Sequence, residues 1–216
     1  TAEEAKLLRE AGLDRKHMLS VPVAATGKAL YNSPAPRLRP LLVQIAAKFK
    51  DRPVLLLNSD IFPAVRNHNV LTLWLQMAPA LGLTRETCAV PEAYQFSDRT
   101  PYRKGLDAML VRAESLRVLI EMLDDCPSAR RTCFGVPGWD MLLGALLRHP
   151  RIGGRLMDSG VLLHQAHEAR LVDPAAVNVY AADIVRHTGI QLHEPSALVD
   201  VFAELATKDC IAHAAD

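Results

Sequence analysis

The chain has 216 residues, of which 50% are hydrophobic and 23% are charged, and this balance predicts a folded domain and excludes a disordered chain. Its formal net charge of +1 gives no electrostatic basis for binding nucleic acid or an anionic membrane. Because no apolar run approaches the roughly 20 residues that cross a bilayer, we expect no membrane span.

The spacing of apolar residues predicts alternating helices and strands along the first part of the chain. The predicted elements are a helix over 3–11, a strand over 18–23, the helix Leu38–Phe49, the strand Val54–Leu57 and a helix over 70–83. The strand is an apolar run without alternation, which is typical of a strand buried on both faces in a parallel sheet.

The second half of the chain continues this alternation and ends in helices. The predicted elements are an extended segment over 87–96, an apolar run over 106–111, helices over 114–123 and 139–148, a strand over 160–163, and amphipathic helices over 175–187 and 196–208. The order predicts an α/β domain over residues 1–170 with a mostly parallel sheet covered by helices. Residues 171–216 are predicted to form a helical extension packed on it.

Four cysteines are present and none forms a C-x-x-C pair, which indicates reduced thiols in a cytoplasmic protein. They are Cys88, Cys126, Cys133 and Cys210. In a secreted protein a disulfide between Cys126 and Cys133 would be the alternative. Cys133 has no adjacent base, so a thiol nucleophile is not favoured.

Two polar clusters lie beside predicted strands, where open α/β sheets bind their ligands. Asn58, Ser59 and Asp60 follow the strand Val54–Leu57. Asp60 is suited to a divalent cation and its two neighbours to a ribose or a phosphate, whereas the alternative is that Asp60 caps the next turn. Gly105 permits close backbone approach, and Asp107 places a charge at the start of an apolar run.

Two further clusters come later in the chain. Trp139 is suited to stacking on a sugar, and Asp140, at the start of a predicted helix, is either a cap or a general base. His164 and His167 follow a predicted strand and suit a metal through neutral imidazole, although such a pair is more often structural.

Taken in order, these clusters resemble a family of GT-A-like glycosyltransferases, the nucleotide-diphospho-sugar transferases. The likeness rests on Asn58-Ser59-Asp60-Ile61, Tyr102-x-x-Gly105-x-Asp107, Gly135-x-Pro137-x-Trp139-Asp140 and His164-x-x-His167. The resemblance covers roughly residues 38 to 170. Because each motif is short, the resemblance depends on the order of the four motifs along the chain.

The resemblance implies a GT-A, Rossmann-like fold that transfers a sugar from a nucleotide-sugar donor to an acceptor hydroxyl. It implies donor binding by the Asn58, Gly105 and Trp139 clusters, and Asp140 as the base that activates the acceptor. A divalent cation, Mn or Mg, would be held by Asp60 with His164 or His167. The chain departs from the family's usual D-x-D pair, because position 58 is Asn.

Two other classes of protein fit the same sequence. One is a non-catalytic domain with this architecture, which the single carboxylate of the Asn58 cluster favours, and convergence of Asp60, Asp107 and Asp140 in one pocket would argue against it. The other is an α/β interaction protein whose helices after residue 175 form a partner surface.

Overall fold

The computed structural model describes residues 26–27, 35–58, 61–63, 69–88, 100–102, 105–126, 132–134 and 139–165. Along these residues the described elements follow in the order α-β-β-α-β-β-β-α-α-β. The helices are α1 (Leu38–Phe49), α2 (Asn69–Met77), α3 (Ala113–Asp124) and α4 (Trp139–Leu147). The strands are β1 (Val54–Leu57), β2 (Ile61–Pro63), β3 (Ala80–Cys88), β4 (Thr100–Tyr102), β5 (Ala108–Val111) and β6 (Arg155–Gln165).

The described strands form one mixed sheet in the order β1-β5-β3-β6-β2, with β4 also paired to β3. Only the pairing of β3 with β6 is parallel, and the other pairings are antiparallel. The β3–β6 register shifts between Thr84 and Glu86. Such an irregularity bends the sheet locally and increases its twist.

The sheet is strongly curved between its two outermost described strands. β1 and β2 are four strand spacings apart in the order, which is about 19 Å on a flat sheet. The four residue steps from Leu57 to Ile61 reach at most about 14 Å. The sheet therefore bends enough for Leu57 and Ile61 to lie within that reach. Asn58, next to Leu57, donates its N–H to the Asp107 carbonyl at the start of β5.

Alternate side chains of the strands pack into two cores on opposite faces of the sheet. On β5, Met109 and Val111 face the core that α1, α3 and α4 cover. Ala108 and Leu110 face the smaller core, which includes Trp74 of α2. Helices therefore lie on both faces, as in an α/β domain.

The apolar residues of helix α1 form part of the larger core. Leu38, Leu42 and Ile45 recur at helical spacing, and all three are buried. Arg37 before the helix is extended, and Lys50 after it takes a positive φ of 23°. The helix thereby ends shortly before β1, which joins the sheet.

Several predicted elements are confirmed. The helix over 38–49 and the strand over 54–57 have the expected bounds. The helices predicted over 114–123 and 139–148 correspond to α3 and α4, and the predicted strand over 160–163 lies within the longer β6. The elements predicted over 3–11, 18–23, 175–187 and 196–208 lie outside the described residues, as does most of the segment over 87–96.

Two expectations about the fold were wrong in part. The helix predicted over 70–83 ends at Met77, and residues 80–83 begin β3 instead. The sheet is mixed, whereas a mostly parallel sheet was expected. The expectation rested on the order of the predicted elements and on the unbroken apolar runs, but an antiparallel strand covered by helices on both faces has the same apolar pattern.

Within the described ranges, no helix is both long and apolar enough to cross a membrane.

Candidate functional site

The structure brings Asn58 and Asp107 together at one end of the sheet. Asn58 directly follows β1, and Asp107 directly precedes β5, the antiparallel partner of β1. The Asn58 backbone N–H donates to the Asp107 carbonyl oxygen at 3.1 Å. The Asn58 side-chain Nδ2 donates to Asp107 Oδ1 at 3.4 Å. The ladder of β1 and β5 therefore continues into a side-chain contact.

A third polar residue reaches the same segment from α4. Asp140 lies in the first turn of this helix, and its Oδ2 accepts a hydrogen bond from the Leu106 backbone N–H at 3.4 Å. Leu106 immediately precedes Asp107, whose own N–H donates to the Leu83 carbonyl at 3.1 Å. One predicted site carboxylate, Asp140, thus contacts the residue that precedes the other, Asp107.

Asp107 is the more deeply buried of these two carboxylates. Its exposed fraction is 4%, whereas Asp140 is half-buried. A buried carboxylate is costly unless hydrogen bonds compensate for its lost water, so the Asn58 amide stabilises it. Asp140 has a different environment, because a carboxylate in the first turn of a helix is stabilised by the helix dipole.

Close packing against a glycine fixes the position of the 105–107 segment. Gly105 is buried in a bend, and the fully buried Leu106 packs against Gly82 of β3. A Cβ atom on Gly82 would lie 2.2 Å from Leu106 Cδ1. Leu106 can therefore pack against β3 because Gly82 has no side chain.

Trp139 is only 4% exposed and belongs to the larger core. Its ring lies against Phe134, with 4.4 Å between the ring centroids and an interplanar angle of 44°. Paired aromatic rings of this kind contribute to packing beyond their buried area. Trp139 thereby anchors the start of α4, the turn that carries Asp140.

His164 lies in β6 and is 5% exposed. It stands opposite Ile61 of β2 in the antiparallel ladder. Ile61 follows Asp60 in the sequence, so the ladder brings His164 next to the residue after the predicted metal carboxylate. Among the described residues, no group of three or more His, Cys, Asp or Glu side chains is placed to hold a metal ion.

Three predicted site residues lie outside the described residues. They are Ser59 and Asp60 of the first cluster and His167 of the histidine pair. Their roles in donor and metal binding remain predictions. Of the predicted site residues, the structure groups Asn58, Gly105, Asp107 and Asp140, and it also describes Trp139 and His164.

Cys126 and Cys133 are buried, and they are not joined in a disulfide. Burial raises the pKa of the Cys133 thiol, and the nearby Arg37 charge opposes that shift only in part. Because the thiolate is the nucleophilic form, a raised pKa agrees with a structural role for Cys133.

The backbone N–H of Leu106 donates to Asp140, although position 106 is an unspecified residue in the motif Tyr102-x-x-Gly105-x-Asp107. A weak signal for it was available, because Leu106 is the apolar residue between two predicted site residues, Gly105 and Asp107. Comparisons of the chain with protein-family models, with curated proteins and with solved structures found no match.

Proposed function

We propose that the chain is a GT-A-like glycosyltransferase domain that transfers a sugar from a nucleotide-sugar donor to an acceptor hydroxyl. The observation that carries this proposal is the meeting of Asn58, Asp107 and Asp140 on residues 105–107, through the Asn58–Asp107 and Leu106–Asp140 hydrogen bonds. These residues come from three of the four motifs on which the family resemblance rests. Asp107 and Asp140 are thereby connected through residues 106 and 107, which supports a shared site, whereas Asp60 lies outside the described residues.

In the proposed reaction, the acceptor hydroxyl oxygen attacks the anomeric carbon of the donor sugar. The bond from that carbon to the diphosphate oxygen breaks, and the nucleoside diphosphate leaves. Asp140 takes the hydroxyl proton as general base. The hydrogen bond from the Leu106 N–H fixes one carboxylate oxygen of Asp140, so the base is oriented before the acceptor arrives.

A divalent cation, Mn or Mg, would neutralise charge on the departing diphosphate. Carboxylate and imidazole groups suit such a cation. The predicted ligands are Asp60 with His164 or His167.

The proposal is tested first by thermal unfolding with UDP-glucose, GDP-mannose, CMP-sialic acid and dTDP-glucose, each with and without Mn²⁺. A ligand that binds only the native state raises the apparent Tm. We expect one nucleotide class to raise it, and Mn²⁺ to enlarge the rise. If no donor changes the Tm, the non-catalytic domain becomes the better interpretation.

Asp140→Asn tests the base. We expect sugar transfer to fall by about 10²- to 10⁴-fold, the range for loss of a general base, while the Tm changes little because the amide oxygen still accepts from the Leu106 N–H. Asp51→Asn is the matched control, since its carboxylate is exposed and pairs with Arg117. Unchanged turnover in Asp140→Asn would remove Asp140 from the mechanism.

A further inference from the structure

We propose that one face of α2 is an interface between two copies of this chain, which associate reversibly with their α2 helices packed against each other. This α2 outer face consists of the exposed residues among positions 72–77, which are Thr72, Leu73, Gln76 and Met77. Such association is independent of the proposed glycosyltransferase activity.

Large apolar side chains occupy the α2 outer face. Leu73 is 57% exposed and Met77 is 38% exposed, and residues four apart are neighbours on the same side of a helix. Trp74 is 8% exposed and packs into the smaller core, which fixes the side of α2 that faces the sheet. The leucine and the methionine therefore form one apolar strip at the surface of the protein.

The α2 outer face also carries no charge. The sequence of α2 contains no Asp, Glu, Lys or Arg, and the polar members of the face are Thr72 and Gln76. The exposed positions of α3 are all charged, and they are Glu114, Arg117, Glu121 and Asp124. Loss of charged residues together with an exposed methionine is typical of the centre of a protein–protein interface.

The charge distribution favours a second copy of this chain as the partner. A face without charge does not repel its own copy, and the formal net charge of +1 produces little long-range repulsion between two chains. When two α2 helices pack antiparallel about a twofold axis, Leu73 lies against the partner's Met77, and this contact is made twice. Thr72 and Gln76 then border the apolar centre as a polar rim.

The size of the α2 outer face predicts a weak dimer. The helix has nine residues, which corresponds to a length of about 13 Å. Two helices of this length bury less than the roughly 1,200 Å² of a stable interface. We therefore expect a reversible dimer with a Kd between about 10 μM and 1 mM.

Sedimentation equilibrium of the unmodified chain across that concentration range tests the proposal. We expect the average mass to rise from 23.7 kDa toward the dimer value as the concentration increases. Leu73→Lys places like charges on the two facing helices, and we expect it to raise the Kd at least about 10-fold. Its Tm in dilute solution should change by less than about 2 °C, because the side chain is exposed.

Phe49→Lys is the matched control, because Phe49 is 36% exposed but lies at the end of α1, outside the α2 outer face. We expect it to leave the Kd unchanged. A chain that stays monomeric up to about 1 mM would overturn the proposal and leave the face to a different partner. Association that is equally strong in Leu73→Lys would overturn it too, because the copies would then meet through another surface.

Discussion

At the scale of single residues, two glycines set how closely the backbone segments around the site approach each other. Gly154 precedes β6, and a Cβ atom there would lie 2.7 Å from the Leu147 carbonyl oxygen and 2.8 Å from the Ala80 carbonyl oxygen. Gly82 meets side chains instead, those of Leu106 and Leu156. Side-chain ends can shift, whereas hydrogen-bonded backbone cannot. A larger residue should therefore be tolerated better at position 82 than at position 154.

We therefore expect Gly154→Ala to destabilise the protein more than Gly82→Ala. Overpacking at Gly82 should lower the free energy of unfolding by about 1–3 kcal/mol, and the clash with backbone at Gly154 by about 3 kcal/mol or more. Urea denaturation of both variants measures the difference. Gly153→Asn is the control, because its φ of +66° suits asparagine and its nearest neighbour lies 3.9 Å away. Equal losses at Gly82 and Gly154 would contradict the argument.

The site residues themselves were only partly predictable from the sequence. Asn58 and Asp107 were recognisable one at a time, because a polar residue beside an apolar run is conspicuous. Their pairing was not, since 49 residues separate them and nothing local specifies which strand lies beside β1. The Leu106–Asp140 contact spans 34 residues and depends on where α4 packs, which only the folded chain decides.

At the scale of elements, α1 and α3 are joined by both an ion pair and buried leucines. Arg39 donates to both carboxylate oxygens of Asp124, at 2.5 and 2.8 Å. These side chains are 37% and 50% exposed, so solvent screens the pair and its contribution is about 0–1 kcal/mol. Leu42 of α1, in contrast, is fully buried in the larger core.

The buried leucine should therefore hold α1 more strongly than the ion pair does. We expect Leu42→Ala to lower the free energy of unfolding by about 2–5 kcal/mol, and Arg39→Met by less than about 1 kcal/mol. Chemical denaturation at low and at high salt measures both, and only the Arg39 effect should shrink with salt. A larger loss in Arg39→Met than in Leu42→Ala would show that the ion pair dominates.

The boundary between α2 and β3 shows where element prediction fails. Residues 80–83 are as apolar as the end of α2, and periodicity cannot separate a short buried strand from a helix continuing into the core. A local signal was present, because Pro79 disfavours helical backbone at Ala78. For α1 and α3, apolar spacing and length point to the same element, and the predictions over 38–49 and 114–123 agree with the structure.

At the scale of the whole molecule, the curved sheet is covered by helices on both faces, and its central strands are the most enclosed. All four residues of β5 are at most 2% exposed, and the strand pairs with β1 on one side and β3 on the other. The residues of β1 are half-buried, and in the described part of the chain this strand has one partner. The candidate site lies where these two strands meet, at the junction of an enclosed strand and an outer one.

This difference predicts unequal hydrogen exchange across the site. Opening β1 breaks one ladder and exposes few buried side chains, whereas opening β5 breaks two ladders and exposes both cores, so it requires nearly global unfolding. We expect peptides containing residues 108–111 to exchange at least about 10-fold more slowly than those containing residues 54–57, measured by mass spectrometry and corrected for intrinsic rates. Peptides from α3, which packs against the larger core, provide the internal reference. Equal protection of β1 and β5 would mean that the two strands open only together, and that Asn58 and Asp107 separate only when the whole domain unfolds.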